Sequence, residues 1–154
     1  PPNLFSFSMT KTSAPASAAA GIAIENSMLG AAHSMANPLT RQFGIAHGQA
    51  VGQMLPFVVR FNADDKQAAL GYAELAYDAG IVERSAPTKA AVKQLIVRLR
   101  ELVAVAGLER TPANIPVSAI DALSAEAAEQ WTAQFNPRPV DEAAFRSLFV
   151  QITS

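Results

Sequence analysis

The clearest pattern of hydrophobic and polar positions lies between Pro87 and Gly107. Apolar residues recur there every three or four positions, which places them on one face of an α-helix. This apolar stripe consists of Val92, Leu95, Ile96, Leu99, Leu102, Val103 and Ala106. The other side carries Lys89, Lys93, Arg100 and Glu101, and it is interpreted as a solvated face. We therefore predict one long amphipathic helix that begins at Pro87 and is capped by Gly107.

The same reasoning predicts five further helices. They cover residues 13–37, 47–61, 65–79, 118–135 and 141 to the C-terminus. A break near Ser124 is an alternative to a continuous helix over 118–135. No strand-like segment competes with these helices, so the predicted fold class is all-α, a helical bundle with short connections. We expect one helical domain over residues 13–154, preceded by an irregular segment over residues 1–12.

Prolines and capping residues set the expected ends of several helices. Pro38 should end the first helix, because the residue before a proline is disfavoured in the α region. Residues 38–46 should then form a loop. Asp64 is the expected N-cap of the third helix. Trp131 and Phe135 lie one helical turn apart and are expected to pack in the core.

Three polar residues share one face of the Ala-rich first helix. At 100° per residue, Asn26, His33 and Asn37 lie within about 40° of one another. Polar side chains aligned on an apolar helix need buried hydrogen-bonding partners, or they face a cavity. His47, the second of the two histidines in the chain, follows just beyond the expected turn and could reach the same place. A core histidine with satisfied hydrogen bonds is the simpler alternative.

Three segments around these histidines carry a family resemblance. They read LGAAHSMANPL (29–39), FGIAHGQAV (43–51) and MLPFVVRFN (54–62). Together they resemble the metal-binding core of the iron-containing (group III) alcohol dehydrogenases. The resemblance runs from about residue 16 to residue 154 and includes the Asn-Pro-Arg-Pro element at 136–139.

The resemblance implies roles for three residues. His33 and His47 match two of the four metal ligands of the family. Asn37 stands where the family usually has a histidine beside substrate and nicotinamide. We therefore expect Asn37 to contact the substrate by hydrogen bonding and not to act as an acid or base. Phe57 likewise replaces a histidine that the family often has.

The resemblance also implies which metal ligands and which partner domain must come from outside this chain. The other two ligands of the family, an Asp and a His four residues apart, come from an earlier helix, and residues 1–24 contain no Asp, Glu or His. The family's nucleotide-binding half is absent from the 154 residues as well. We therefore expect the C-terminal helical domain, or a fragment, of a metal-dependent NAD(P)-linked alcohol dehydrogenase or aldehyde or keto reductase. By itself the chain is expected to be inactive, and its first partner is the missing N-terminal nucleotide-binding domain.

The alternative is a helical domain without catalysis, serving as an assembly module or a truncated remnant of the family. A hydrolase is a poor interpretation, because the chain has no GxSxG element. Metal content of the purified protein would distinguish the first two hypotheses.

Composition narrows the cofactors and partners further. The chain has no cysteine, so a metal must use N and O ligands, which suits Fe, Zn or Mn. The net charge is −1 and the Lys and Arg residues are scattered, which argues against nucleic-acid binding. Charged residues make up 16% of the chain, against a typical ~25%, and this favours large buried or partner-facing surfaces and a homo-oligomer. The apolar run near residues 11–24 is too short to span a bilayer, so we expect no membrane association and a cytoplasmic location.

Overall fold

The structure is a computed structural model, and it describes residues 30–108 and 115–153. Within those two ranges the chain forms α-helices and short 3-10 helices, and no strand. The α-helices are α1 (Ala31–Phe43), α2 (His47–Asn62), α3 (Lys66–Asp78), α4 (Thr88–Val105), α5 (Ile120–Ala128) and α6 (Glu142–Thr153). The 3-10 helices are Val117–Ala119 and Trp131–Phe135. The predicted all-α fold class is confirmed.

Two apolar clusters hold these helices together. The larger one joins α1, α2, α5 and α6, and its most buried large side chains include Met35, Leu39, Met54, Phe145 and Phe149. The smaller one joins α2, α3 and α4. It consists of Val59, Ala73, Ala76, Ala91, Val92 and Leu95. Since α2 contributes to both clusters, it is the element that connects the two halves of the bundle.

The course of α1 corrects one prediction. The helix continues through Pro38 and ends at Gly44, which adopts the left-handed conformation with φ of 66°. Pro38 and Leu39 are both buried. A proline inside a helix costs roughly 3 kcal/mol, and here the burial of Leu39 in the larger cluster, with Phe43 packed against it, offsets that cost. The prediction of a helix end at Pro38 and a loop over 38–46 was therefore wrong, and the predicted residues 13–29 of that helix lie outside the described ranges.

Two other boundaries differ from the predictions. Asp65 caps α3, where its carboxylate accepts a hydrogen bond from the Ala68 N–H at 2.9 Å. Asp64, the expected cap, instead pairs with Arg138. The predicted helix over 118–135 breaks between α5 and the second 3-10 helix, and not near Ser124, which is buried inside α5.

The prediction that Trp131 and Phe135 pack in the core was also wrong. Their side chains are 57% and 38% exposed. Their rings contact each other edge-on, with centroids 5.7 Å apart. Because the helix stops after Ala128, the period of α5 is not carried forward to these aromatic residues. Thr132 is the buried residue of this segment.

Burial follows helical spacing closely in α6 and only partly in α4. In α6 the apolar residues that recur every three or four positions are all buried, namely Phe145, Leu148, Phe149 and Ile152. In α4, Val92 and Leu95 are buried but Leu102 is exposed. The difference arises because α3 has 13 residues and α4 has 18, so α3 cannot cover the whole length of α4.

None of the described helices combines the length and apolar character needed to cross a membrane.

Candidate metal centre

The two histidines come together where α1 and α2 meet. His33 lies in the first turn of α1, and His47 is the first residue of α2. Their ring centroids are 5.2 Å apart, with an angle of 51° between the ring planes. His33 is half-buried and His47 is exposed. The short connection after Gly44 thus returns the chain so that two imidazoles face one another.

The start of α1 is fixed by an asparagine from the C-terminal part of the chain. Asn136 Oδ1 accepts a hydrogen bond from the Ala31 N–H at 3.2 Å. The Asn136 and Asn62 amides also pair reciprocally, at 2.7 and 3.1 Å. A Cβ added to Gly30 would lie 3.0 Å from Asn136 Oδ1, so the backbone approaches closely here. Because Asn62 is the last residue of α2, Asn136 links the start of the helix that bears His33 to the end of the helix that bears His47.

The other end of α1 is fixed to α5 by Glu126. The Arg41 guanidinium contacts both of its carboxylate oxygens, with the Nε bond at 2.9 Å. Gln42 donates a further bond at 2.7 Å. Hydrogen bonding from Arg41 is the main reason that the pKa of Glu126 lies below its ordinary value; burial opposes that shift. This contact holds the last turn of α1 in place just before the chain turns toward His47.

Asn37 lies one helical turn beyond His33, on the same face of α1. Its Nδ2 donates a hydrogen bond to Gln130 Oε1 at 2.8 Å. The Asn37 side chain is half-buried. Gln130 was not singled out in the sequence, and no local pattern could have found it, because it is 93 residues away.

The surroundings favour a neutral His33. Burial lowers its pKa, and repulsion from His47 lowers it further. An imidazole must be neutral to offer a lone pair to a metal ion, so this direction suits a ligand. In the described ranges, however, no group of three or more His, Cys, Asp or Glu side chains is placed to hold an ion. The two histidines are therefore a pair of possible ligands and not a full coordination sphere.

The fold and the paired histidines define a class: an all-helical domain that brings two imidazoles together at the junction of two helices. The chain matches the family model for the C-terminal part of the Fe-containing alcohol dehydrogenase family over residues 7–153. It belongs to that family.

Individual relatives agree with this assignment. The chain is 34% identical over 148 residues to the 1-propanol dehydrogenase PduQ of Salmonella typhimurium, covering 89% of this chain and 39% of that protein. It is 33% identical over 138 residues to the bifunctional aldehyde-alcohol dehydrogenase AdhE of Escherichia coli K12, covering 77% of this chain and 16% of that protein. The chain thus spans well under half the length of these relatives.

A solved structure is similar as well. The crystal structure of a 1,3-propanediol oxidoreductase superposes with a TM-score of 0.79 at 26% identity. The match covers 86% of this chain and 35% of that one. The helical bundle described above is therefore shared with part of a larger protein.

Proposed function

We propose that this domain supplies two metal ligands, His33 and His47, to the active site of a metal-dependent NAD(P)-linked alcohol dehydrogenase or carbonyl reductase. The observation that carries the proposal is the 5.2 Å separation of their rings. Two imidazoles bound to one tetrahedral ion through bonds of about 2.0–2.1 Å have ring centroids on the order of 5 Å apart. The donor set of this chain, two imidazoles without a thiolate, suits Fe or Zn.

The chemistry assigned to the site follows from this donor set. A bound cation would polarise the oxygen of an alcohol or a carbonyl compound and stabilise charge on it. His33 and His47 would hold the ion as neutral ligands, which the lowered pKa of His33 favours. Asn37 would bind the substrate through its amide. An amide has no titratable proton near neutral pH, so Asn37 would not serve as general acid or base.

Names of the relatives suggest the substrate class. PduQ is named for 1-propanol and the similar structure for 1,3-propanediol. We propose short primary alcohols and their aldehydes as substrates of the whole assembly. The remaining ligands and the NAD(P) site would come from a nucleotide-binding domain, because this chain aligns with 39% or less of each relative. We infer a homo-oligomer in the cytoplasm as its setting.

Metal binding to the 154-residue chain tests the proposal. We expect one Zn²⁺ or Co²⁺ per chain by calorimetry at neutral pH, with modest affinity, because two neutral ligands bring no negative charge to the ion. His33→Ala and His47→Ala should each abolish this binding. Gln67→Ala, at an exposed position on α3, is the matched control and should leave it unchanged. Added NAD(P) and 1-propanol should give no turnover with this chain alone.

Binding that persists at full strength in the double histidine variant would contradict the ligand assignment. Absence of metal binding by the unchanged chain would instead favour a second candidate, a helical assembly module without catalysis. Its specific support is the set of exposed large apolar side chains, among them Val105 at 87% and Val117 at 77%. A metal-free chain that associates through such side chains would fit this alternative.

A further inference from the structure

Asn37 is the last member of a directional chain of hydrogen bonds. Gln130 Nε2 donates to the Glu126 main-chain carbonyl at 3.3 Å. Gln130 Oε1 accepts from Asn37 Nδ2 at 2.8 Å. Gln130 is itself held by its main-chain N–H, which donates to the Ala127 carbonyl at 3.3 Å. Two side-chain amides and one main-chain carbonyl thus run in a line from α5 to α1.

The carbonyl at the end of this line decides the orientation of both amides. Oxygen and nitrogen of a side-chain amide are assigned from their hydrogen-bond partners. A main-chain carbonyl can only accept, so the Gln130 group facing Glu126 must be the NH₂. Its oxygen then faces Asn37 and requires a donor there. The Asn37 NH₂ is therefore turned toward Gln130, and its carbonyl oxygen lies on the opposite edge of the amide.

That oxygen remains available. Within the described ranges no residue donates a hydrogen bond to Asn37 Oδ1, and it does not belong to the buried polar atoms that lack a partner. Asn37 stands on the face of α1 that bears His33, one turn away. The free oxygen of its amide is an acceptor, and one of the two N–H bonds of the same amide is already engaged by Gln130.

We propose that Gln130 is a positioning residue that holds the Asn37 NH₂ toward α5 and leaves Asn37 Oδ1 as the free acceptor, so that the site favours ligands that donate a hydrogen bond at this point. An alcohol O–H can donate to Oδ1, whereas a carbonyl oxygen could only accept from the one N–H that Gln130 leaves unengaged. The inference rests on the proposed function in assigning the ligand space beside His33, Asn37 and His47, but the orientation of the amide does not depend on it. No proton is transferred in this contact; the selection is one of binding.

The first measurement concerns the amide alone. Triple-resonance NMR of the 154-residue chain should show one Asn37 side-chain N–H proton shifted downfield by its bond to Gln130. In Gln130→Met, which keeps the length of the side chain but not the acceptor, the signal should move to the position of an unbonded amide. In Gln130→Glu the acceptor is kept, so the bonded signal should persist. Gln134→Met, an exposed glutamine four residues away, is the control and should leave the Asn37 signal unchanged.

The second measurement concerns selection. The probes are 2-propanol and acetone, which share a carbon skeleton and differ in having a donor. We expect the dissociation constant of 2-propanol, followed through shifts at Asn37 and His33, to be about three- to tenfold lower than that of acetone, as one neutral hydrogen bond implies. The ratio should fall toward one in Gln130→Met and stay near its original value in Gln130→Glu. If Gln130 merely supported the fold, both variants would lose stability, and the ratio of dissociation constants would not differ between them.

The outcomes separate the two hypotheses. An unbonded Asn37 amide in the unchanged chain would overturn the positioning role. A bonded amide with equal binding of both probes, or with a ratio that Gln130→Met does not change, would overturn the selection. A bonded amide with no shift at Asn37 or His33 from either probe would refute the ligand space of the proposed function, and with it the selection, while the orientation of Asn37 would stand.

Discussion

Asn136 shows how one side chain fixes the geometry of the histidine pair. Its oxygen accepts from the start of α1, and its NH₂ donates to Asn62 and to the Arg138 carbonyl at 2.7 Å. Asn136 and Asn62 are both buried. Without the Asn136 side chain, the groups that bond to it would be left without a partner and without access to water. This places the residue among the strongest structural determinants of the candidate site.

We therefore expect Asn136→Ala to lower the free energy of unfolding by about 3 kcal/mol, because removing one partner leaves several buried polar groups unsatisfied. Urea denaturation of the purified chain measures this. Gln134→Ala, at an exposed position of the same segment, should change stability by less than about 0.5 kcal/mol. Equal effects of the two substitutions would show that the Asn136 bonds contribute little.

The Glu126 contact has a predictable dependence on pH. Its folded pKa is depressed below 4.5 by hydrogen bonding from Arg41, against the opposing effect of burial. The unfolded state therefore binds the proton more readily, and the contribution of Glu126 to stability is present above pH 4.5 and is lost as the pH falls through the folded pKa. We expect Glu126→Gln to make the free energy of unfolding less dependent on pH in that acid window. An unchanged pH profile of urea denaturation in this variant would contradict the assignment.

Residue-level reasoning from the sequence could single out residues only where the signal was local. His33, Asn37 and His47 were recognisable because they lie close together in an unusual segment, and the structure brings the two imidazoles to 5.2 Å. The roles of His33 and His47 as metal ligands, and of Asn37 beside the substrate, stay predictions. Gln130 and Asn136 could not be found, because their contacts with α1 span 93 and 105 residues. Such pairings depend on how helices pack, which single-residue patterns do not encode.

At the scale of elements, α2 was predicted to within one residue. The last helix was predicted to begin at residue 141, and α6 begins at Glu142, where the Asp141 carboxylate accepts from the Ala144 N–H at 2.8 Å. Local capping chemistry sets that start, whereas α2 begins after Ala46 without a side-chain cap. The predicted end of α1 was wrong because the local tendency of proline to end a helix competes with burial. Pro38 lacks the N–H that would bond to the Ser34 carbonyl, yet Pro38 and the following Leu39 are buried.

This competition leads to a test of α1. Replacing Pro38 by Ala restores the missing N–H and removes a helix penalty of roughly 3 kcal/mol, but loses the burial of about two methylenes, at ~0.8 kcal/mol each. The balance predicts that Pro38→Ala raises the free energy of unfolding by about 1 kcal/mol. Pro87→Ala is the control, because Pro87 stands at the N-cap of α4, where no N–H is needed, and it should be nearly neutral. Destabilisation by Pro38→Ala in urea denaturation would mean that packing of the proline ring outweighs the helix penalty.

At the scale of the whole molecule, the described surface retains large apolar side chains that no described residue covers. Trp131 is 57% exposed and Leu75 54% exposed. The sequence predicted Trp131 to be buried, because its spacing matched a continuous helix; the break after α5 turned it outward. Exposed apolar area of this kind favours contact with another surface. Since the chain matches only part of the length of its relatives, such a surface is also where a neighbouring domain could pack.

We expect the 154-residue chain to associate with itself through exposed apolar side chains such as Trp131, most simply as a dimer. Analytical ultracentrifugation should show the mean mass rising above 16.2 kDa as concentration increases. Because Trp131 is the single tryptophan of the chain, a blue shift of its emission over the same range would place that residue at the contact. Trp131→Gln should weaken the association if the contact includes this side chain, whereas Gln67→Ala should not. A mass that stays at the monomer value up to millimolar concentration would rule out self-association and leave the exposed surface to a different protein domain.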